Sequence, residues 1–395
     1  MKILILMDQF HTLNGAERLS VQLAEGLNQR PGMRADIASM YTEDFGEHRE
    51  AMRQFRMQGI DTFHFLGLKV HPSPFALAGA ILRLRRILRE GAYDVVETYT
   101  VTPAIAASWA TRGLKTRFVG GLHHSYEMAE HNALRHKLWR FSVRNNRRSR
   151  FYAISEFVKR CWIEYSSTVP AYTRTVCNGI PDHFFSAQPE REEVRTEFGL
   201  PPTARIALFV GSIVSYKGID VALEALGPIL EERNLYLIFA GSWNQPSGGA
   251  FPGEEGYFDG LKERINAEGW GGHIQFIGRR HDIPRLMASS DLLIHPARIE
   301  GFGLILAEAM AAGLPVVATN VQGIPEVLEQ TEALMTPPDD PTAFRDAVSS
   351  TLDRSDKVRE QAIALARKRA ELYRMDRRID NMVKLFEDTL AESEA

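Results

Sequence analysis

At 395 residues the chain is too long for one ordinary core and suggests two domains, and its hydrophobic (44%) and charged (25%) shares exclude disordered and fibrous classes. No apolar run approaches the roughly 18 residues needed to cross a bilayer, and two cysteines, Cys161 and Cys177, exclude a disulfide framework or a cysteine-rich metal site. The net charge of −3 hides an asymmetry: residues 1–170 carry 24 Lys+Arg against 16 Asp+Glu (+8), and the rest carries 23 against 34 (−11).

The opening MKILILMDQF reads as a buried strand, Lys2–Met7, because its apolar run is short and no small-residue cleavage site follows; a cytoplasmic protein is expected. A helix over Ala16–Leu27 places Leu19, Leu23 and Leu27 on one face. Strand-like runs follow at Ala35–Met40, Asp94–Thr98, Arg117–Gly121 and Phe151–Ile154, with helices between them, notably Phe75–Glu90 and Leu134–Asn145. Strands alternating with helices imply a parallel sheet covered on both faces. The segment Asn178–Leu200, rich in Pro, Gly and charge, looks like a linker, and then the pattern restarts. Strand Arg205–Gly211 leads to a helix over Ile219–Glu232, and further strands are expected at Leu235–Ala240, His273–Ile277, Leu292–Ile294 and Pro315–Ala318. The last stretch, Met375–Glu392, sets Ile379, Met382, Val383, Phe386 and Leu390 at helical spacing, a closing helix with one buried face.

The sharpest chemical signal is HPARIEGFGLILAEAMAAGLPVVATNVQGIPEV, residues 295–327. Glu300 stands in a loop after a strand, Gly301 and Gly303 permit tight backbone, and a helix runs from Leu304 until Gly313 stops it. Backbone N–H groups of Phe302, Gly303 and Leu304 would point out of that helix start, where the dipole favours a phosphate. Glu308, about one turn inside, would accept hydrogen bonds from a ribose diol, and Glu300 would hold hydroxyls of a sugar beyond the phosphates. The two carboxylates are thus spaced along one nucleotide-sugar, not paired across one bond as in glycosidases.

This segment resembles the family 4 retaining glycosyltransferases, whose hallmark is a Glu, seven residues and a second Glu with a G-F-G-like turn between. The resemblance covers nearly the whole chain. VGSIVSYKGID (210–220) is similar to the family's phosphate-lysine segment, with Lys217 in the lysine position; VCNGIPDHFF (176–185) to its domain-linker segment; NGAE (14–17) to its first glycine-rich loop; GGLHHSY (120–126) to its histidine loop. The resemblance implies a GT-B fold, α/β, with two Rossmann-like domains facing across a cleft: 1–185 for the acceptor, 186–374 for the nucleotide-sugar donor, and a helix over 375–395 returning to the N-terminal domain. It implies donor phosphates on Lys217 and on the backbone at Gly15 and Ala16, with His123 near the reacting sugar. Arg279 follows a strand end that in the family lies near the nucleobase. The chain departs from the pattern in two places: Ser212 replaces an arginine that usually clamps phosphate, and Asn14-Gly15 replaces a Gly-Gly pair.

The expected activity is transfer of a sugar from a nucleotide-sugar, UDP-sugar first and GDP-mannose second, to a saccharide or lipid-linked acceptor of envelope or exopolysaccharide synthesis. The catalytic set is His123, Lys217 and Glu300, with no cofactor; the diphosphate charge is met by Lys217 and helix dipole, so no metal is expected. A nucleotide-sugar 2-epimerase and a catalytically silent nucleotide-binding module are the rival readings. The basic first half fits an anionic acceptor or membrane surface, whereas no nucleic-acid motif accompanies it and no such partner is expected. In the run 134–150, Leu134, Leu138 and Phe141 form an apolar stripe among arginines, and Arg83, Arg85, Arg86 and Arg89 make a second basic cluster, so peripheral binding at the inner membrane face is considered beside an ordinary half-buried helix.

Overall fold

A computed structural model describes residues 1–10, 15–46, 48–69, 73–124, 133–144, 146, 149–165, 173–243 and 256–391. The chain divides into two compact units, Met1–Gly179 with Asp376–Ala395, and Ile180–Met375.

In the first unit, among the described residues, β1 (Lys2–Met7), β2 (Arg34–Tyr41), β3 (Phe63–Leu68), β4 (Val95–Thr98), β5 (Arg117–Leu122), β6 (Arg150–Ala153) and β7 (Arg174–Thr175) form one sheet in the order β3-β2-β1-β4-β5-β6-β7. Every pairing is parallel. Ile3, Leu4, Ile5 and Leu6 of β1 are completely buried, as a central strand covered on both faces requires. The order reverses between β1 and β4. Asp8 and Thr100 follow the ends of those strands, and the Thr100 hydroxyl donates to Asp8 Oδ2 over 2.6 Å. The closing helix, Met375–Ala391, belongs to this unit from Asp376 onward and buries Ile379, Met382, Leu385 and Phe386. Gly26 makes room for it, since a Cβ there would lie 2.1 Å from Ile379.

In the second unit β8 (Arg205–Val210), β9 (Leu235–Ala240), β10 (Ile274–Gly278), β11 (Leu292–His295), β12 (Val316–Thr319) and β13 (Leu334–Thr336) form a parallel sheet in the order β10-β9-β8-β11-β12-β13. Here the order reverses between β8 and β11. The crevice beyond the carboxyl ends of two such strands is where open α/β sheets bind ligands.

Most elements lie within a residue or two of their expected positions, and the helix Leu304–Ala312 coincides with its expected span. The helix expected over Ile219–Glu232 is shorter. It stops at Leu226, and a 3₁₀ turn follows at Gly227–Ile229, where Pro228 has no N–H to continue the ladder and Gly227 packs under Trp270. The apolar stripe on the helix Ala133–Arg144 does not face inward. His136, Trp139, Ser142 and Val143 are buried instead, while Leu138 and Phe141 are exposed; the side chain of Leu134 lies outside the described residues. Among the described residues, no helix is long and apolar enough to cross a membrane.

Candidate functional site

The switch point of the second sheet gathers the chemistry. β8 runs into the loop Gly211–Val214 and a 3₁₀ turn at Ser215–Lys217, and β11 runs into the loop that carries Glu300. Lys217 Nζ and Glu300 Oε2 meet at 2.6 Å, both side chains largely buried, at 16% and 17% exposure. Burial disfavours the Lys217 ammonium, but the Glu300 carboxylate outweighs it and the lysine pKa is raised. Burial likewise disfavours the Glu300 charge, yet Lys217 and then His295 hold its pKa well below the usual carboxylate range. His295 Nε2, buried at the end of β11, stands 3.2 Å from the same Glu300 oxygen, and burial lowers its own pKa.

Glu300 is fixed on three sides. Its N–H donates to Gln322 Oε1 at 3.0 Å, its carbonyl accepts from Gly323 N–H at 3.1 Å, and its Oε1 accepts from Gly303 N–H at 3.1 Å. The Gly303 N–H, expected to face a phosphate, is here held by the chain's own carboxylate. The dipole at the start of the helix Leu304–Ala312 is met by that carboxylate. Gly303, at φ 82°, makes the turn that a side chain would strain. Lys217 is fixed as well. Arg298 donates to the Ser215 carbonyl and pairs with Asp220 and Asp339, its N–H reaches the Tyr216 carbonyl, and Gly218 lies so close to Pro296 that a Cβ would sit 2.0 Å from its carbonyl oxygen.

The remaining expected donor residues fall as follows. Gly301 is buried in the turn, and the Phe302 ring is buried edge-on to Tyr373 at 5.4 Å, so Phe302 anchors the loop by its side chain. Leu304 opens the helix, half-buried. Glu308 is 3% exposed, on the helix's second turn. Ser212 lies just past β8, half-buried. Arg279 is exposed after β10, whereas Arg280 is committed to Glu197 and Asp282.

Gly15, Ala16 and His123 belong to the first unit. Gly15 and Ala16 open the helix Gly15–Asn28; Asn14 lies outside the described residues. His123 follows β5 and lines a pocket of about 220 Å³ with Asp8, Thr100, His124, Trp139 and Trp162. Residue reading missed His295, Gln322 and Gly323 around Glu300. A histidine closing a buried apolar strand, five residues before the glutamate, is the signal that marks the first of them.

Two parallel sheets, each with a point where the strand order reverses, make this an α/β protein of the GT-B fold. Its coordinates superpose on the Anabaena protein HepE, crystallised with UDP, with a TM-score of 0.80 at 20% identity, over 98% of this chain and 100% of that one. The family model "Glycosyltransferase Family 4" matches residues 13–184 and "Glycosyl transferases group 1" matches 190–369; the chain belongs to glycosyltransferase family 4. Among curated relatives, the lipopolysaccharide glucosyltransferase WaaG of Escherichia coli is 36% identical over 146 residues, which are 36% of this chain and 36% of that protein. The lipopolysaccharide core biosynthesis mannosyltransferase LpsB of Rhizobium meliloti is 30% identical over 182 residues, 45% of this chain and 50% of that protein. The chain thus spans half or less of the length of these two relatives.

Proposed function

We propose that this protein is a retaining glycosyltransferase that moves a sugar from a nucleotide-sugar to a saccharide or lipid-linked acceptor in cell-envelope or exopolysaccharide synthesis. The observation that carries the reading is the Lys217–Glu300 pair at the switch point, beside the start of the helix Leu304–Ala312. An incoming diphosphate competes with Glu300 for the ammonium. Lys217 turns to the phosphate, and the released carboxylate of Glu300 accepts hydroxyls of the transferred sugar. Charge that builds on the diphosphate as the anomeric C–O bond breaks is met by Lys217 and the helix dipole, without a metal. The acceptor oxygen bonds the anomeric carbon from the face the phosphate leaves, and its proton passes to the departing phosphate oxygen. No side chain of the protein forms a covalent intermediate. HepE, crystallised with UDP and with UDP-glucose, favours a UDP-sugar, and WaaG, a glucosyltransferase, agrees with glucose as the sugar; LpsB, a mannosyltransferase, keeps a mannose donor second.

The test is a thermal-shift panel of nucleoside diphosphates and their sugars, followed by NMR of the product's anomeric configuration. Binding to the folded state raises the melting temperature, so UDP and UDP-sugars are expected to raise it most. Inverted configuration overturns retention, an epimer formed from donor alone overturns transfer, and tight nucleotide binding without turnover marks a silent module.

A peripheral membrane location belongs to the same reading. The helices Pro74–Glu90 and Ala133–Arg144 both pack on the helix Val101–Ala110 and leave Phe75, Leu82 and Phe141 exposed among Arg83, Arg86, Arg89, Lys137 and Arg144. Flotation with anionic vesicles is expected and should weaken with salt; equal flotation with neutral vesicles sinks the electrostatic part.

A further inference from the structure

The first unit holds a buried polar chain that the donor site does not use. Glu97 stands on β4 within Val95-Val96-Glu97-Thr98 and is fully buried. Tyr152 on β6 is fully buried too, and its hydroxyl donates to Glu97 Oε1 over 2.6 Å. Strand β5 lies between them, and its Gly121 is in register with Tyr152. A Cβ on Gly121 would lie 2.6 Å from the Tyr152 hydroxyl and 2.9 Å from His123 Nε2. The absent side chain is what lets the tyrosine cross β5 to reach β4. His123 Nε2 is 3.2 Å from that hydroxyl, and the rings of Tyr99 and Tyr152 meet the imidazole edge-on at 4.8 and 5.7 Å.

Counting protons orders this chain. A tyrosine hydroxyl has one hydrogen. With Glu97 ionised, that hydrogen lies toward the carboxylate, and the Tyr152 oxygen offers His123 lone pairs alone. Nε2 must then carry the imidazole hydrogen and donate it, and Nδ1 is left as the acceptor. We propose that Glu97 and Tyr152 are positioning residues that lock His123 in the Nε2–H tautomer, so that Nδ1 accepts a hydrogen bond from a substrate hydroxyl. The substrate clause rests on the glycosyltransferase reading; the tautomer does not.

Burial, with Arg378 and His124, depresses the His123 pKa and keeps the ring neutral, so its tautomer is the variable that matters. Burial also pushes Glu97 up to about 7, against the lowering effect of Tyr152 and Arg378. Protonation of Glu97 reverses the chain: Glu97 donates to Tyr152, Tyr152 donates to Nε2, and the ring hydrogen moves to Nδ1. The groups that face this chain are Arg378 from the closing helix, 5.9 Å from the centre of the Tyr152 ring, His124 beside His123, Tyr99 after β4, and Glu17 on the helix Gly15–Asn28, which acts on Tyr99.

Two-bond proton–nitrogen correlation spectra of ring-labelled histidine, with His123→Gln to assign the signal, read the tautomer directly. At about pH 8.5 the wild type should show Nε2–H, and it should move toward Nδ1–H as pH falls through about 7. Tyr152→Phe should lose the preference, and Glu97→Gln, which cannot titrate, should lose the pH response. In turnover, Tyr152→Phe should lower kcat roughly tenfold with donor KM nearly unchanged. An Nδ1–H ring in the wild type at the higher pH, or an unaltered spectrum in Tyr152→Phe, overturns the proposal. These spectra need no sugar transfer, so their failure is separable from failure of the nucleotide-binding panel.

Discussion

Lys217 and Glu300, 83 residues apart, act as one electrostatic unit at 2.6 Å. Removing one member of a largely buried pair leaves the other charge uncompensated, which costs about 3–5 kcal/mol where burial is complete and less for these partly exposed groups. Lys217→Ala should therefore lower the melting temperature of the unliganded protein. If the lysine also meets the departing diphosphate, turnover should fall by about 10²–10³ and the thermal shift given by UDP should disappear. A variant that melts lower but turns over normally would confine Lys217 to a structural role. Ser212 sharpens the point. With serine where the family usually carries arginine, and Arg298 committed to Asp220, Asp339 and the Ser215 carbonyl, the proposed donor site leaves Lys217 to meet more of the phosphate charge, so its loss should cost more than where a second cation helps.

Among elements, the central strands were legible because each is an apolar run that both sheet faces bury. Phe63–Leu68 and Leu334–Thr336, absent from the sequence reading, are edge strands, β3 and β13, in which only Leu66, Leu68 and Thr336 are buried, so they carry a weaker pattern. The helix start at Leu304 was legible from its glycines, and the Glu300–Glu308 spacing marked the loop. What held Glu300 was not, because Lys217, Gln322 and Gly323 reach it through the tertiary fold and no local period reports such contacts. For the same reason the sequence reading did not single out Glu97, a lone charge in an apolar strand whose partner Tyr152 lies 55 residues further on. Gly323 shows how much such a contact matters. Its φ of −84° is ordinary, but a Cβ would lie 2.1 Å from the Gly301 carbonyl oxygen, and neither backbone can yield without moving the Glu300 loop. Gly323→Ala should destabilise the protein by about 1–3 kcal/mol and raise donor KM. Gly260→Ala, inside the helix Tyr257–Ala267 with open space around it, should instead stabilise by roughly 0.5–1 kcal/mol. Equal melting temperatures for the two variants would refute the crowding argument.

For the whole molecule, two buried carboxylates impose opposite pH dependences on stability. Glu300 has a folded pKa below its unfolded value, so its contribution is present above the ordinary carboxylate range and is lost as pH falls through that range toward the folded value. Glu97 has the reverse sign. Its pKa rises from 4.5 in the unfolded chain to about 7 in the fold, chiefly through burial, so between these values the native state holds more protons than the unfolded state. Stability then declines as pH climbs from about 4.5 to 7 and levels off above, a loss on the order of 3 kcal/mol for this group alone. Glu97→Gln keeps an oxygen to accept the Tyr152 hydroxyl and cannot ionise, so it removes that slope and leaves the Glu300 slope intact. The variant should match the wild type near pH 5 and melt several degrees higher near pH 8, the difference opening across the window that Glu97 titrates. A constant offset at every pH would mean that Glu97 does not titrate there, and a variant less stable at pH 8 would mean that ionised Glu97 strengthens the fold through Arg378 more than its burial costs.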